Sequence, residues 1–574
     1  MQLRTIRRKS VLALSALLGL ASTMVLVAGC SSDGAAAPEA PAEASAARGD
    51  LLVTHVYYKD QADLQRMVDE TDLDVLEEVN AEEGWVAVLI EDAKQYDDLI
   101  AQGYRVDIVE RESAAARKKT QSMEALAGIP GYSCYRTVEE TNTAINTLVS
   151  DHPTLAKVVT IGKSWKKVQN SSQGYDLRVL KVTNSAIAGP KPVFFLMGAI
   201  HAREYTTAET ALRFAEQMVN GYGTDADATW LLDHYELHVL PQTNPDGRKI
   251  AEQGYYQRKN GNNSNGGSCS NPPQSSNQYG TDLNRNSSYK YATGGSSSQA
   301  CAETYRGPSA ASEPETRAVQ DYIASIFPDQ RGPNTSDPAP STATGVLITL
   351  HSYAQKVLYP WGWSASAPPN AAGLATLGRK LGFLNGYSAC QVAASGCMYV
   401  ASGGTDDWSY GELGVASYTI EMGTAFFESC SSFTSTVAPG NLAALRYAFK
   451  AARRPYQTPS GPDSLEVVAS PSTVTAGAKV TLTAKAIDGR YSSTSEATQN
   501  IAAARYSVGA PSWVSGTTTV AMSASDGAFN AKTESVTASI DTSGWQTGRH
   551  IVLVESQDAS GNWGVPSAVF INVQ

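Results

Sequence analysis

Apolar and polar positions follow three different patterns along the chain, and these patterns mark three folded parts. Across residues 50–110, short apolar runs and amphipathic stretches follow the order β-α-β-β-α-β, which predicts a small α+β domain. Farther along, unbroken apolar runs at residues 193–200 and 346–350 predict strands buried on both faces of an α/β sheet. After residue 465, strand-like runs separated by Gly, Ser and Asp turns predict an all-β sandwich.

Polar residues follow the buried runs where open α/β sheets place their chemistry. His201 and Glu204 come after the first run, and His351 comes after the second. Two imidazoles and one carboxylate give Zn²⁺ three ligands and leave a fourth position for water, which is typical of a hydrolytic site. A His-x-x-Glu pair alone is weak support because it arises by chance. Further polar groups after strands, at residues 244–247, 281–286 and Glu421, strengthen the prediction of one zinc ion in this domain.

Seven short motifs extend this prediction to most of the middle of the chain. They are HARE, NPDG, QRKN, TDLNRN, HSY followed by YPWG, YVASGGTDDWSY and TIEMG. In type, order and approximate spacing they resemble the zinc carboxypeptidases of the pancreatic carboxypeptidase A/B type, over roughly residues 128–455. The resemblance implies an α/β domain with a mixed sheet flanked by helices, at residues 125–456, and hydrolysis of the C-terminal peptide bond of peptides and proteins.

The resemblance implies a role for each matching residue. His201, Glu204 and His351 are the expected zinc ligands, and Asp282 is expected to accept the free ring N–H of His201. Glu421 is the expected general base, which takes a proton from water and passes it to the leaving amine.

Arginines and a tyrosine match the positions that bind substrate in this family. Arg258 matches the residue that stabilises the developing oxyanion, and an insertion at residues 261–279 separates it from the motif at residues 281–286. Four further residues are expected to bind the substrate or its terminal carboxylate: Arg203, Asn284, Arg285 and Tyr399.

The floor of the expected pocket carries an acid, Asp406, where the family has either an apolar residue or an aspartate. A buried carboxylate favours a cationic Arg or Lys side chain on the residue that is removed. Two features leave a broader preference open. Gly362 stands where basic-specific members usually have serine, and an alignment slip of one residue would exchange Asp406 with Asp407.

Six cysteines remain when Cys30 is set aside, and an even number in an exported chain favours disulfides without fixing their pairing. The family resemblance favours Cys269–Cys301. Cys390–Cys397 closes a short loop, and Cys134–Cys430 is the pair then left.

The start of the chain predicts export. Residues 1–29 have a basic beginning and an apolar stretch that ends in LVAGC, which is typical of a bacterial lipoprotein signal with lipid on Cys30. An ordinary secretory signal or a short membrane anchor is the alternative. Residues 30–49 read as a low-complexity tether. We therefore expect a cell-envelope lipoprotein at the outer membrane or cell surface, or a protein secreted after processing.

The α+β domain at residues 50–124 is acidic. Residues 50–110 hold 17 acidic and 4 basic residues, a net charge of −13 against −11 for the whole chain. Its predicted order is ferredoxin-like, and the carboxypeptidase family often carries a propeptide of that shape over the active site. The segment 117–119 (RKK) is a candidate cleavage point for an activating protease. The prediction is a zymogen, and a permanent spacer domain is the alternative.

A linker at residues 457–464 is expected to lead to the β domain at residues 465–574, which resembles bacterial Ig-like or fibronectin-like modules and is assigned to attachment, spacing or stabilisation. Mild net acidity without a basic stripe argues against nucleic-acid binding. We expect a monomer. Two other functions stay open: a cell-wall peptide hydrolase of the same fold, and an exported binding or adhesion protein whose peptidase domain is catalytically silent.

Overall fold

The computed structural model describes residues 50–112, 127–264, 267–494 and 496–574. The signal at residues 1–29, the lipidation site Cys30, the tether at residues 30–49 and the basic segment 117–119 lie outside the described residues. Within the described ranges, no helix has both the length and the apolar character needed to cross a bilayer.

The N-terminal domain has the β-α-β-β-α-β order that the sequence predicts. Its four strands form an antiparallel sheet in the order β2-β3-β1-β4. Asp60 and Asp92 begin the two helices by accepting hydrogen bonds from backbone N–H groups of the first turn. The elements are β1 (Leu51–Tyr57), α1 (Gln61–Glu70), β2 (Asp74–Asn80), β3 (Trp85–Ile90), α2 (Ala93–Ala101) and β4 (Arg105–Glu112).

The central domain is built on a mixed sheet of eight strands in the order β11-β10-β12-β9-β7-β8-β6-β5. Neighbours among β12, β9, β7 and β8 run parallel, which makes the middle of the sheet parallel. The strands are β5 (Ala156–Lys163), β6 (Asp176–Val182), β7 (Val193–Met197), β8 (Glu236–Leu240), β9 (Val346–His351), β10 (Lys356–Tyr359), β11 (Ser388–Gln391) and β12 (Ala416–Glu421).

Helices cover both faces of this sheet. Phe194 and Leu196 of β7 belong to one buried apolar cluster, whereas Phe195 and Met197 belong to another. This alternation confirms that the strand is buried on both sides. The helices are α3 (Val138–Asp151), α4 (Trp165–Gln169), α5 (Tyr205–Gly221), α6 (Ala226–His234), α7 (Pro245–Ala251), α8 (Pro314–Ile326), α9 (Ala371–Asn385), α10 (Thr405–Leu413) and α11 (Ala438–Ala451).

The strand ends differ from the sequence prediction in detail. His351 and Glu421 are the last residues of β9 and β12 rather than the residues that follow them. Conversely, β7 ends at Met197, four residues before His201. The chain turns at Gly198, where a Cβ atom would lie 2.7 Å from the carbonyl oxygen of Thr207, so the turn packs directly on the helix that carries Glu204 at its start.

The C-terminal domain consists of strands in the order β13-β15-β18-β17-β16-β19-β20-β14, and residues from all of them share one apolar core. Strand β13 begins at Asp463, inside the segment predicted to be a linker, and Pro459 is also buried there. The strands are β13 (Asp463–Ser470), β14 (Thr473–Val474), β15 (Lys479–Ile487), β16 (Ile501–Val508), β17 (Thr519–Ala524), β18 (Thr533–Asp541), β19 (Gly548–Asp558) and β20 (Ser567–Val573).

Three disulfides join the cysteine pairs named above. Cys134–Cys430 ties the start of the central domain to the segment before α11, with 5.5 Å between the Cα atoms. Cys269–Cys301 closes the loop that contains residues 281–286, and Cys390–Cys397 closes a short loop after β11. The structure therefore bears out the expected pairing.

Candidate active site

Three side chains that are far apart in sequence meet at the carboxyl end of the central sheet. His201 lies in the turn after β7, Glu204 precedes α5, and His351 ends β9. Their ligand atoms lie within 4.8 Å of one another, and all three residues are buried. Glu204 Oε2 and His351 Nε2 make no hydrogen bond with any described residue. Unpartnered buried nitrogen and oxygen atoms in such a cluster fit a zinc ion as their shared partner.

Asp282 orients one of these imidazoles. Its Oδ1 lies 3.1 Å from His201 Nε2, whereas His201 Nδ1 faces Glu204 Oε1 at 2.7 Å. Burial acts to raise the pKa of Asp282, but the charge of Arg258 holds it well below its usual value. An ionised Asp282 accepts the Nε2 proton and leaves the Nδ1 lone pair of His201 free for a metal.

The second imidazole is also suited to binding a metal at neutral pH. Burial lowers the pKa of His351 to about 4. The neutral ring therefore predominates at pH 7, as a zinc ligand requires.

Glu421 is a buried acid beside this cluster, and one of its carboxylate oxygens has no hydrogen-bond partner among the described residues. It pairs in register with His351 on one side and with Lys356 on the other. Burial, together with the charges of Glu77 and Glu204, raises its pKa well above the usual value. Glu421 Oε2 makes no hydrogen bond with a described residue. A carboxyl group with a raised pKa and a free oxygen is suited to accept and return a proton.

Asn284, one of the expected substrate-binding residues, lies next to the cluster, since its backbone N–H donates to Asp282 Oδ1 at 2.9 Å. The side chain of Arg285 is buried, and it donates to the carbonyl oxygens of Gly295 at 2.8 Å and Asn284 at 3.1 Å. Asn284 Oδ1 accepts the backbone N–H of Thr405 at 3.0 Å. These bonds fix Asn284 and Arg285 within the cleft by backbone contacts.

Two adjacent acids at the start of α10 have different tasks. Asp407 accepts the backbone N–H groups of Gly362, at 2.9 and 3.0 Å, and of Trp363, at 2.8 Å. Asp406 instead accepts the hydroxyl of Thr419, two residues before Glu421 on β12, at 3.3 Å, and burial raises its pKa. Asp406 is therefore the acid that faces the site. At Gly362, a Cβ atom would lie 2.9 Å from the carbonyl oxygen of Ala401, so a serine does not fit without movement.

Strand β2 of the N-terminal domain occupies the mouth of this cleft. Asp74 binds Arg203 through both carboxylate oxygens, at 2.6 and 3.0 Å. Glu77 Oε1 lies 3.4 Å from Arg258 Nη1. The hydroxyl of Tyr399 donates to the carbonyl oxygen of Val75 at 3.1 Å. Three residues expected to bind substrate thus bind β2 instead.

Sequence reasoning missed several groups at this contact. Glu303 Oε1 lies 3.0 Å from Arg203 and 3.1 Å from Arg258, and burial raises its pKa to about 8. Lys356 reaches the same cleft from β10. The available signals were the acidic run of β2 and a lysine opening the otherwise apolar strand KVLY, but neither signal names its partner.

Comparison with known proteins agrees with this site. Residues 141–437 match the model of the zinc carboxypeptidase family, peptidase M14. Carboxypeptidase A2 of Rattus norvegicus is 31% identical over 303 residues, which are 52% of this chain and 64% of that protein. Carboxypeptidase B of Astacus astacus is 28% identical over 298 residues, 51% of this chain and 87% of that protein. The chain thus spans less than two thirds of the length of several curated relatives.

Solved structures support the fold. Thrombin activatable fibrinolysis inhibitor superposes with a TM-score of 0.55 at 22% identity, over 71% of this chain and 99% of that chain. Carboxypeptidase A from Helicoverpa armigera gives a TM-score of 0.55 at 21% identity, over 71% and 98%. The fold is that of the carboxypeptidase class, and the buried His-Glu-His cluster can hold a metal ion. The chain belongs to the zinc carboxypeptidase family, and its relatives are of the A/B type.

Proposed function

We propose that this protein is a zinc-dependent carboxypeptidase that removes the last residue of peptides and proteins. The observation that carries the proposal is the buried cluster of His201, Glu204 and His351, with its unpartnered atoms, beside the uncommitted acid Glu421. When bound, zinc supplies a Lewis acid that polarises the scissile carbonyl and lowers the pKa of water.

The residues around the metal position divide the remaining chemistry. Glu421 takes a proton from the attacking water and delivers it to the leaving amine. Arg258 donates to the carbonyl oxygen as negative charge develops on it, and Asp282 holds Arg258 through its Nε atom at 3.1 Å. Asn284, Arg285 and Tyr399 bind the terminal carboxylate of the substrate.

Asp406 supports a preference for C-terminal Arg or Lys. Its carboxylate is buried and has no cationic partner among the described residues; its hydrogen-bond contacts come from the Asp407 N–H at 2.9 Å and the Thr419 hydroxyl at 3.3 Å. A cationic side chain entering the pocket would compensate this charge. A pocket that takes both apolar and basic side chains is the alternative, since Gly362 stands where basic-specific members of the family usually have serine.

The N-terminal domain supports a zymogen. Its strand β2 lies where the upstream part of a substrate would lie and pairs with Arg203 and Arg258. Cleavage within residues 117–119 by an activating protease would free the cleft. The same cleavage would release the enzyme from a lipid on Cys30, so a cell-envelope precursor would become a secreted enzyme.

The test is release of the last residue from matched peptides that end in Arg, Lys, Phe or Leu. Full-length zinc-loaded protein is treated with trypsin, the trypsin is then inhibited, and the assay is run with and without a zinc chelator. Release of Arg and Lys that the chelator abolishes is the expected result. Release from all four peptides would leave the reaction intact and reject the basic preference, whereas no release would favour a cell-wall substrate or a silent binding protein.

Two variants separate the reaction from the fold. Glu421→Gln is expected to lower kcat by about 100-fold or more while zinc content stays normal. Glu412→Gln, an exposed residue of α10, is the matched control and is expected to have wild-type activity. Normal activity in Glu421→Gln would reject its role as the general base.

A further inference from the structure

Lys356 is a buried cation in the cleft. The proposed reaction assigns no role to it. It opens β10, is 8% exposed, and pairs in register with Glu421. Its Nζ atom donates to the carbonyl oxygens of Cys397 at 2.8 Å, Glu77 at 3.1 Å and Val79 at 3.4 Å. Two of these three acceptors belong to β2, so they depart if the N-terminal domain is removed.

Most of the negative charge near Lys356 also belongs to the N-terminal domain. The acids that face it are Glu421 of β12 and Glu77 and Glu78 of β2. Among the described residues, no carboxylate lies within ion-pair distance of Lys356 Nζ. Once β2 leaves, the lysine retains one carbonyl acceptor and one acidic neighbour, which leaves an ammonium group in need of new partners.

The position of Lys356 relative to the metal cluster indicates which part of a substrate it meets. On β12, Glu421 has His351 on one side and Lys356 on the other. The scissile carbonyl must lie at the metal, and that carbonyl belongs to the penultimate residue of the substrate. The penultimate side chain is therefore the substrate group that starts closest to Glu421 and Lys356.

The part of the chain that occupies the cleft shows what this surface accepts. Strand β2 reads DVLEEVN, and its acids Asp74 and Glu77 lie against Arg203 and Arg258. Both arginines also pair with Glu303 of the central domain, whereas Lys356 has no carboxylate of the described residues within ion-pair distance and is the cation left to a substrate. An acidic peptide is the natural complement of such a surface.

We propose that Lys356 determines specificity for the penultimate residue of the substrate and favours Asp or Glu there. The inference rests on the proposed carboxypeptidase function and refines its substrate: a peptide whose last residue enters the pocket above Asp406 and whose penultimate residue is acidic. An alternative role is confined to the precursor, where Lys356 would only clamp β2.

The test uses three peptides that differ only at the penultimate position, which is Glu, Gln or Lys, and that share the last residue released best. Trypsin-treated, zinc-loaded full-length protein is compared with Lys356→Met, Lys356→Arg and the control Lys479→Met, which changes an exposed lysine of the C-terminal domain. In the wild type, kcat/KM is expected to be about tenfold higher for Glu than for Gln, and lowest for Lys. Lys356→Arg and Lys479→Met are expected to keep this ratio, and Lys356→Met to bring it close to one.

Each outcome separates the inference from the function beneath it. Hydrolysis of all three peptides at equal rates by the wild type would overturn the inference and leave the carboxypeptidase standing. An unchanged ratio of kcat/KM for the Glu and Gln peptides in Lys356→Met would also overturn the inference. Lys356 would then only hold β2 in the uncut chain. Hydrolysis of none of the peptides would overturn the proposed function, and this inference with it. If Lys356→Met does not fold, Lys356→Gln replaces it, because its amide can still donate to the Cys397 carbonyl. An unchanged Glu-to-Gln ratio in Lys356→Gln would overturn the inference.

Discussion

The N-terminal and C-terminal domains both pack on the central domain, but they contact it in opposite places. The N-terminal domain touches the residues expected to do the chemistry: Arg203, Arg258 and Tyr399 all bind β2. The C-terminal domain instead packs against α6, α9 and the end of α11, away from the metal cluster. The first contact lies on residues that the proposed function assigns to the substrate, and the second lies on helices of the central domain.

The C-terminal contact is part of the main core of the molecule. Leu553 and Val565 belong to the same buried apolar cluster as Trp230, Tyr235 and Phe449 of the central domain. A buried ion pair joins the two domains at the far side of the interface, where Lys380 Nζ lies 2.7 Å from Asp463. The N-terminal domain also shares two buried apolar clusters with the central domain, which include Tyr399 and Phe426, so the two domains differ in which residues they cover rather than in the kind of contact.

The strongest way to break this comparison is to end the chain before Asp463. Truncation there exposes Trp230, Tyr235 and Phe449 and leaves Lys380 without its carboxylate. We expect no soluble folded protein, since a large shared core is lost. Protein cut at residues 117–119 is the control and is expected to keep its circular dichroism spectrum and a cooperative thermal transition. A folded, active truncated chain would contradict the account.

A single charge at the same interface gives a smaller effect. Asp463→Ala leaves the ammonium of Lys380, 1% exposed as a side chain, without its anion. Loss of one partner of a buried ion pair costs about 3–5 kcal/mol, so thermal and urea unfolding are expected to show a destabilisation of that order. Asp541→Ala, at an exposed position of β18, is the control and should change the free energy of unfolding by less than about 0.5 kcal/mol. Equal effects from the two substitutions would argue that the interface is not buried in solution.

At the N-terminal contact, removal of charge should change activity more than stability. The double variant Asp74→Ala, Glu77→Ala deletes the carboxylates that bind Arg203 and Arg258. We expect the uncut chain to hydrolyse peptides about tenfold faster than the uncut wild type, because β2 is held less tightly in the cleft. Asp107→Ala, on β4, removes the partner of Arg105 and serves as the control. An unchanged uncut rate in the double variant, with normal activation on cleavage, would show that these pairs do not hold the domain shut.

The smallest effect concerns pH. Burial lowers the pKa of Lys356 to about 8 from its usual value of 10.5. Between those two values the unfolded chain binds a proton that the folded chain does not, so the free energy of unfolding rises with pH in that window. Below pH 8 both states are protonated and the penalty of burying the charge is constant. We expect the Tm of the wild type, relative to Lys356→Met, to rise by a few degrees between pH 8 and 10. A flat difference would contradict this assignment.

Local pattern was enough to predict most of the site. His201 and Glu204 lie three residues apart, and His351 and Glu421 close apolar runs, so short motifs contain them. The parallel centre of the sheet then brings their ends together. The exact strand ends escaped prediction because Gly198 and the turn after it depend on contact with α5, which the sequence of β7 does not reveal.

The contacts between domains could not be predicted in the same way. Asp74 and Arg203 are 129 positions apart, and Glu77 and Arg258 are 181 apart. From sequence, the acidic N-terminal domain is expected to attract the arginines of the central domain, but the sequence does not show which acid pairs with which arginine. In the C-terminal domain, the strand pattern predicted an internal core, but it did not predict that Leu553 and Val565 face a second core belonging to the central domain. The C-terminal domain, which the sequence predicted as a separate unit, therefore shares a core with the central domain.

The most direct measurement follows the rate of peptide hydrolysis while trypsin cuts the zinc-loaded full-length chain. The account predicts a low rate at the start, a rise that parallels loss of the intact chain on a gel, and complete loss of activity on addition of a zinc chelator. An intact chain as active as the cut one would contradict the covering role of the N-terminal domain, and activity indifferent to the chelator would contradict the metal site formed by His201, Glu204 and His351.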